Sequence, residues 1–179
     1  MRNLFISVFV AMVGLSSCRE DDITGTVKKC KDINEHLSSY KQKAIDLTGV
    51  AEQNGTVTGY FKDKELIMAS VANFGESNRR VDEFYFDDEK LICINREEFT
   101  YNKPRYYTED VAQKSGDSVW YDDKKTVMQN TRFYFYDNRM VKWIAPNNKE
   151  IPDNDRKYDY TERSLLNDAG KLVKMLKDQ

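Results

Sequence analysis

Histidine and glycine are scarce in this chain, and each shortage excludes a class of function. His36 is the single histidine among 179 residues, so a histidine-rich metal site or a histidine-dependent catalytic triad has little material. The eight glycines include no phosphate-cradling loop. We therefore expect no catalytic, cofactor-binding or metal-ligating residue, and a protein that is not an enzyme.

An excess of positive charge is also lacking. Residues 1–17 contain one basic side chain, Arg2, and no acidic one, so the rest of the chain has 27 basic and 30 acidic residues and a net charge of about −3. Because nucleic acid binding relies on Lys and Arg that neutralise phosphates, we do not expect nucleic acid as a partner. The adjacent acids Asp87-Asp88 and Asp122-Asp123 fall in predicted turns, where Asp is favoured for conformational reasons.

Long apolar runs are limited to one, at the N-terminus. Leu4 to Leu15 contains only Ser7 as a polar residue and follows Arg2. This run has the length of a signal-peptide apolar region and is too short to span a bilayer as a helix. We expect residues 1–17 to be removed.

The residues that end this run indicate lipid modification. Leu15-Ser16-Ser17-Cys18 resembles the lipobox of bacterial lipoproteins. The resemblance implies that the thiol of Cys18 carries a diacylglycerol and that Cys18 becomes the new N-terminus. An ordinary signal peptide with a chance cysteine is the alternative. The acyl chains are then the only predicted contact with the bilayer core, and they suffice for stable anchoring.

Three acids follow this cysteine closely, at Glu20, Asp21 and Asp22. The segment resembles the acidic tether that sends Bacteroidetes-type lipoproteins to the outer face of the outer membrane. The resemblance implies surface exposure; a periplasm-facing location, with the acids serving as a leader that favours the next helix, is the alternative. We divide the chain into a signal peptide (1–17), a lipidated tether (18–25) and a single α+β domain (26–179).

Two segments have the periodicity of amphipathic helices, with apolar residues three or four positions apart. The first runs from Asp22 to Gly49, and the second lies near the C-terminus, where Asp159 and Glu162 suit a capping box. The apolar stripes are Val27, Cys30, Ile33, Leu37, Tyr40, Ala44 and Leu47 in the first helix, and Leu165, Ala169, Leu172, Val173 and Leu176 in the second.

An internal repeat lies between the helices. Each copy has an aromatic run, a polar stretch with an Asp, and an aliphatic pair. The clear copies are Gly59-Tyr60-Phe61 with Leu66-Ile67, Phe84-Tyr85-Phe86 with Leu91-Ile92, and Phe133-Tyr134-Phe135 with Met140-Val141; a weaker one runs from Val119 to Val127. Two β-prone runs joined by a short polar loop describe a hairpin. We predict an α+β fold in which an antiparallel meander of about six to eight strands, between Thr56 and Ala145, packs against an N-terminal and a C-terminal helix.

Alternation along the predicted strands separates two faces. Phe133 and Phe135 point one way, and Tyr134 and Tyr136 the other. We expect both helices on one face, taken as the phenylalanine face, which leaves a tyrosine-rich face partly exposed or curled into a half-barrel. The inverted phase, with the faces exchanged, is the alternative. Its candidate ligand residues are Tyr60, Tyr85, Tyr134 and Tyr136. Aromatic rings with polar tips bind sugars or proteins, although strand propensity and core packing also explain them.

Two cysteines remain after Cys18. Cys30 lies on the first apolar stripe and Cys93 in a strand-like run. An oxidising compartment would permit a disulfide, but that bond needs Cα atoms within about 7 Å. We expect two separate buried thiols, with a disulfide as the alternative.

These features favour a lipid-anchored binding module of the outer membrane. Its expected partners are the membrane, through the anchor, and a protein or glycan ligand; no cofactor is expected. An inhibitor or immunity lipoprotein that blocks a toxin or lytic enzyme is the alternative, and a hydrolase using acids alone is a third possibility. The aromatic segment from Phe99 to Tyr107 is either a recognition loop or an excursion that covers the sheet edge.

Overall fold

The computed structural model describes residues 15–47 and 54–178, with side chains described from Ile23 onward. Helix α1 (Leu15–Glu35) precedes the strands β1 (Lys41–Asp46), β2 (Gly55–Lys62), β3 (Glu65–Phe74), β4 (Asn78–Asp87) and β5 (Lys90–Thr100). Helix α2 (Glu109–Lys114) is followed by β6 (Val127–Tyr136), β7 (Arg139–Ile144), β8 (Glu150–Ile151) and helix α3 (Tyr158–Lys177). Most of the predicted signal peptide and Gly49 lie outside the described residues.

All eight strands form one antiparallel sheet in chain order. The predicted α+β meander with a helix at each end is therefore confirmed. The sheet extends beyond the predicted range at both ends, by β1 and by β8. Within the described residues, no helix is both long and apolar enough to cross a membrane.

The three clear repeat copies form the hairpins β2–β3, β4–β5 and β6–β7. Asp63, Asp88 and Asp137 adopt positive φ angles of 55°, 48° and 47° in the turns. Asp tolerates this left-handed conformation better than most residues, because its short side chain can hydrogen-bond locally. The shared Asp of the repeat is therefore explained by turn geometry.

A β-bulge occurs at the same step of every copy. The register shifts after Tyr60, Tyr85 and Tyr134, and the extra residue is the second member of the aliphatic pair. In β3 the bulge sends Ile67 and Met68 to one cluster and leaves Leu66 and Ala69 in the other. Each copy thus supplies apolar side chains to both faces of the sheet.

The two helices cover opposite faces of the sheet, so the prediction that they share one face is wrong. Helix α3 packs on the face that carries Phe84 and Phe133. Helix α1 packs Ile33 on the face that carries Tyr85 and Tyr134. The physical reason is that tyrosine rings supply enough apolar area for a second core, provided that each hydroxyl finds a partner. We call these faces the α3 face and the α1 face.

The first helix is shorter than predicted. It ends at Glu35, and residues 41–46 form β1, paired with β2. Lys43, Ile45 and Leu47 alternate toward the α3 face, where the Lys43 ammonium donates to the Leu176 carbonyl at 2.7 Å. Apolar residues spaced by two can coincide with a helical stripe over so short a segment, which explains the error.

Helix α3 protects one edge of the sheet. The Met140 amide of β7 donates to the Glu162 carboxylate at 2.7 Å, and the Tyr158 hydroxyl donates to the Met140 carbonyl at 3.2 Å. Strand β8 pairs with Trp143 and Ile144 of β7, so Glu162 satisfies a part of β7 that β8 does not reach. Among the described residues, no side chain caps the start of α3, so the predicted capping box with Asp159 is wrong. Blocking the backbone groups of an edge strand prevents unwanted pairing with another chain.

The weaker fourth repeat copy is not a hairpin. Residues 123–125 form a 3₁₀ turn, and the Lys124 amide donates to the Asp122 carboxylate. Trp120 lies outside any strand and is 37% exposed, whereas Trp143 lies in β7 with its ring 5.5 Å from that of Phe133. Only the second tryptophan belongs to the core.

Candidate binding surface at the open end of the sheet

The predicted ligand tyrosines do not form one surface. Tyr85 and Tyr134 are 2% and 6% exposed beneath α1, so assigning them to an open face is wrong. Burial raises the pKa of both hydroxyl groups above the ordinary tyrosine value. Tyr60 is half-buried beside the same cluster, and Tyr136 is exposed next to the β6–β7 turn. Helix α1 covers the sheet face on which we expected a ligand to bind.

The helices cover only the half of the sheet near the hairpin turns. The buried strand residues of both clusters come largely from positions 66–69, 84–86, 91–94 and 133–135. The remaining parts of the central strands, residues 70–74, 78–83, 95–100 and 127–132, form what we call the open half of the sheet. Many of its side chains are exposed or half-buried.

A row of large side chains crosses the end of the open half on the α1 face. Register pairs Phe74 with Arg79, Arg79 with Phe99, and Phe99 with Met128. The Arg79 guanidinium lies 4.2 Å from the centre of the Phe99 ring, a cation–π contact. Phe74 and Met128 are both exposed. We call these four residues the end row.

A line of hydrogen bonds connects α1 to the open half. Asn34 of α1 donates to the Tyr85 hydroxyl at 2.9 Å, and that hydroxyl donates to the Glu83 carboxylate at 2.8 Å. Asn95 donates to the same carboxylate at 3.1 Å and accepts from Asn130 at 2.6 Å. The polar surface beside the end row is therefore held in place by the helix.

Residues 101–126 connect β5 to β6 at the same end of the sheet. Their start is fixed to the β3–β4 turn by the Tyr101 amide, which donates to the Ser77 carbonyl at 2.9 Å. The Tyr101 and Tyr121 rings meet edge to face at 5.6 Å. Lys103 donates to Asp117 at 2.9 Å, which lowers the pKa of that carboxyl group. This excursion therefore has an internally bonded structure.

Exposed apolar side chains are concentrated at this end. Ten large ones are exposed among the described residues, and seven of them belong to the end row, to Val127 or to the excursion. These seven are Phe74, Tyr106, Val111, Val119, Trp120, Val127 and Met128. Single exposed apolar residues are normal, whereas a concentration of them at one site is typical of an interaction surface.

The chain matches no family model, no curated protein and no solved structure. Functional inference for this protein therefore depends on the geometry of its own residues.

The turn end of the sheet has a cleft of about 710 Å³ between α1 and two hairpin turns. Ion pairs line it: Lys29 contacts Asp87, and Lys90 lies 3.0 Å from Asp137. The carboxylates of Glu65, Asp87 and Asp88 approach within 4.8 Å of one another. Asp87 is paired with Lys29, and Glu65 accepts the Asp88 amide. These acids stabilise the turns, and we assign no ligand to them.

Only one residue of the end row was named from the sequence, Phe99, as the start of the segment that we gave as either a recognition loop or an excursion over the sheet edge. Phe74 and Met128 lie outside the repeat copies, and Arg79 belongs to no recognised motif. One feature could have indicated the end row. Val127 and Met128 are consecutive apolar residues, so they point to opposite faces of β6, and their partner residues in β5 are polar or half-buried. The predicted lipidation site, Cys18, and the tether residues Glu20, Asp21 and Asp22 precede the first described side chain.

Proposed function

We propose that this chain is a lipid-anchored binding module of the outer membrane that presents the open end of its sheet to a protein partner at the cell surface. The observation that supports this most is the concentration of seven exposed apolar side chains at that end. Exposed apolar clusters with polar surroundings are typical of protein interaction sites.

The chemistry of the end row favours a protein over a glycan as the ligand. Sugars stack on the open face of an aromatic ring, but Arg79 occupies one face of Phe99 at 4.2 Å. The side chain that pairs with Phe99 on the same face, Met128, is exposed and aliphatic. Methionine is flexible and polarisable, which suits contact with an irregular protein surface.

The proposed anchor lies at the opposite end from this surface. Cys18 precedes Ile23 by five residues in α1, and Ile23 packs on the cluster near the hairpin turns. Strand β6 spans 10 residues from the open end to its turn. At roughly 3.3 Å per residue, the end row would then lie about 30 Å from the turn end of the sheet, measured along the strand.

Site-specific photocrosslinking on intact cells tests the proposed surface. A benzophenone amino acid at Met128 should give a protein adduct, whereas the same probe at Tyr160 should not. Tyr160 is a matched control because it is exposed (73%, against 55% for Met128) and lies on α3. Adducts of equal yield at the two positions, or none at Met128, would contradict the proposal. An adduct with a glycan in place of a protein would correct the ligand class.

Replacing the proposed lipidation residue tests the anchor. The Cys18→Ala variant should leave the membrane fraction or accumulate with its signal peptide attached, because the acyl chains are the only strong anchor that we propose. Fractionation and mass measurement of the N-terminal peptide report the result. Normal processing together with wild-type membrane association would exclude a lipoprotein.

The acidic tether has its own test. Replacing Glu20, Asp21 and Asp22 together with Ala should move the protein to the periplasmic face without changing its lipidation. Protease treatment of intact cells should then digest the wild type and spare the triple variant. If both are digested equally, the three acids serve only as a leader to the helix.

A further inference from the structure

Cys30 and Cys93 lie against each other between α1 and the sheet. Asn34, one turn beyond Cys30, is hydrogen-bonded to Tyr85, and Tyr85 is the register partner of Cys93 in β5. Both cysteines belong to the apolar cluster beneath α1. The largest cause of the raised pKa of the Cys93 thiol is its interaction with the Cys30 side chain, so the two side chains are close neighbours in this cluster. Both thiols are free in this structure, as the expectation of two separate thiols has it, although Cys30 is half-buried and not buried.

The two thiols differ in their access to an oxidant. Cys93 is buried, and its pKa is raised by the interaction with Cys30 and by burial. Cys30 is half-buried at the edge of the cluster. The thiolate is the reactive form, and a raised pKa makes it rarer at Cys93. An external reagent therefore reacts first with Cys30, which is also the more accessible thiol.

We propose that Cys30 and Cys93 form a disulfide in the exported protein, which fixes α1 to β5. The inference that the pair meets an oxidising compartment rests on the proposed export. The oxidant is a disulfide-bearing thiol oxidoreductase. The Cys30 thiolate attacks its disulfide to form a mixed disulfide, and the Cys93 thiolate then attacks the Cys30 sulfur. The carrier leaves as its dithiol, having taken up the two electrons and, through solvent, the two protons that Cys30 and Cys93 lose.

This bond would give the anchor a firm attachment to the domain. Cys18 and Cys30 lie on one continuous helix, so any displacement of the lipidated end acts on the contact between α1 and the sheet. That contact otherwise depends on a small cluster, on the Lys29–Asp87 ion pair and on the Asn34–Tyr85 hydrogen bond. Among the described side chains of α1, Ile33 is the buried one. With the bond, the hydrogen-bond line from Asn34 to the open half would keep its geometry.

Counting thiols in the full chain tests the proposal. The protein is purified from its exported location without reductant, denatured, and treated with N-ethylmaleimide before or after reduction. We expect no labelled thiol before reduction and two afterwards, with the acyl mass on Cys18. Two labelled thiols before reduction would overturn the disulfide and leave the lipoprotein proposal standing. One label before reduction and three after would show the disulfide and exclude lipidation.

A Cys30→Ser variant provides the control. It should carry one labelled thiol whether or not reductant is present, since Cys93 then lacks its partner. Reduction should lower the Tm of the wild type by about 8–16 °C, as estimated for a cross-link that closes a loop of roughly 60 residues in a domain of this size. The Tm of the variant should not respond to reductant. An equal response of both proteins would contradict the proposal.

Discussion

Replacing Phe133 with Ala should lower the free energy of unfolding by about 3–5 kcal/mol, the usual range for a buried phenylalanine. Its side chain is almost fully buried on the α3 face and contacts the Trp143 ring. The Tyr85→Ala variant should lose a comparable amount, because Tyr85 is buried on the α1 face and its hydroxyl joins Asn34 and Glu83. Truncation of Tyr85 would remove its buried ring and leave Asn34 and Glu83 without the hydroxyl group that they share.

Tyr136→Ala is the matched control, since Tyr136 comes from the same strand as Phe133 but is 61% exposed. Its unfolding free energy should change by less than about 0.5 kcal/mol. Urea unfolding of the three variants gives the comparison. If Tyr85→Ala were as mild as Tyr136→Ala, α1 would not cover the sheet, and the two-sided core would be wrong.

The hairpins could be predicted because their information is local. An aromatic run, a turn with Asp and an aliphatic pair are all read within about ten residues, and positive φ at Asp63, Asp88 and Asp137 explains the recurrence of that residue. The same local reading failed at residues 41–46. A short segment with apolar residues at both two-residue and four-residue spacings fits a helix and a strand, and only the pairing with β2 decides between them.

The arrangement of the helices could not be predicted, because it depends on the bulges. Regular alternation predicts one apolar and one polar face, whereas each bulge places the second aliphatic residue on the α1 face beside the tyrosines. A sheet with two apolar faces needs two covering helices. Most of the candidate site was missed for a related reason. A sequence pattern identifies apolar residues, but it does not tell which of them the helices leave uncovered.

The sheet has a covered half and an open half because its central strands are longer than the part that the helices cover. Strands β3 to β6 have 10 or 11 residues, and the helices cover the turn-proximal half of them. The uncovered half must then satisfy its own polar groups while both of its faces meet water. It does so with cross-strand networks, of which the line through Glu83 lies on the α1 face.

The corresponding network on the α3 face centres on Asp82, and breaking it should be costly. The Asp82 carboxylate is 4% exposed and accepts from Arg96 at 2.6 Å, while the Nε of Arg80 lies 3.0 Å away. Asp82 and Arg96 are register partners, so the pair joins β4 to β5 in the open half. The Asp82→Ala variant should lose about 3 kcal/mol of unfolding free energy, because Arg96 would remain half-buried without its counter-ion.

A double variant separates the value of the ion pair from the cost of an unpaired charge. Asp82→Leu combined with Arg96→Met removes both charges and keeps apolar volume, while the half-exposed Arg80 can turn toward water. Replacing a buried ion pair by hydrophobic residues is often close to neutral. The double variant should therefore be more stable than either Asp82→Leu or Arg96→Met alone. Urea unfolding of the set measures this coupling. Losses that simply add would show that the two side chains act independently and that Asp82 does not depend on Arg96.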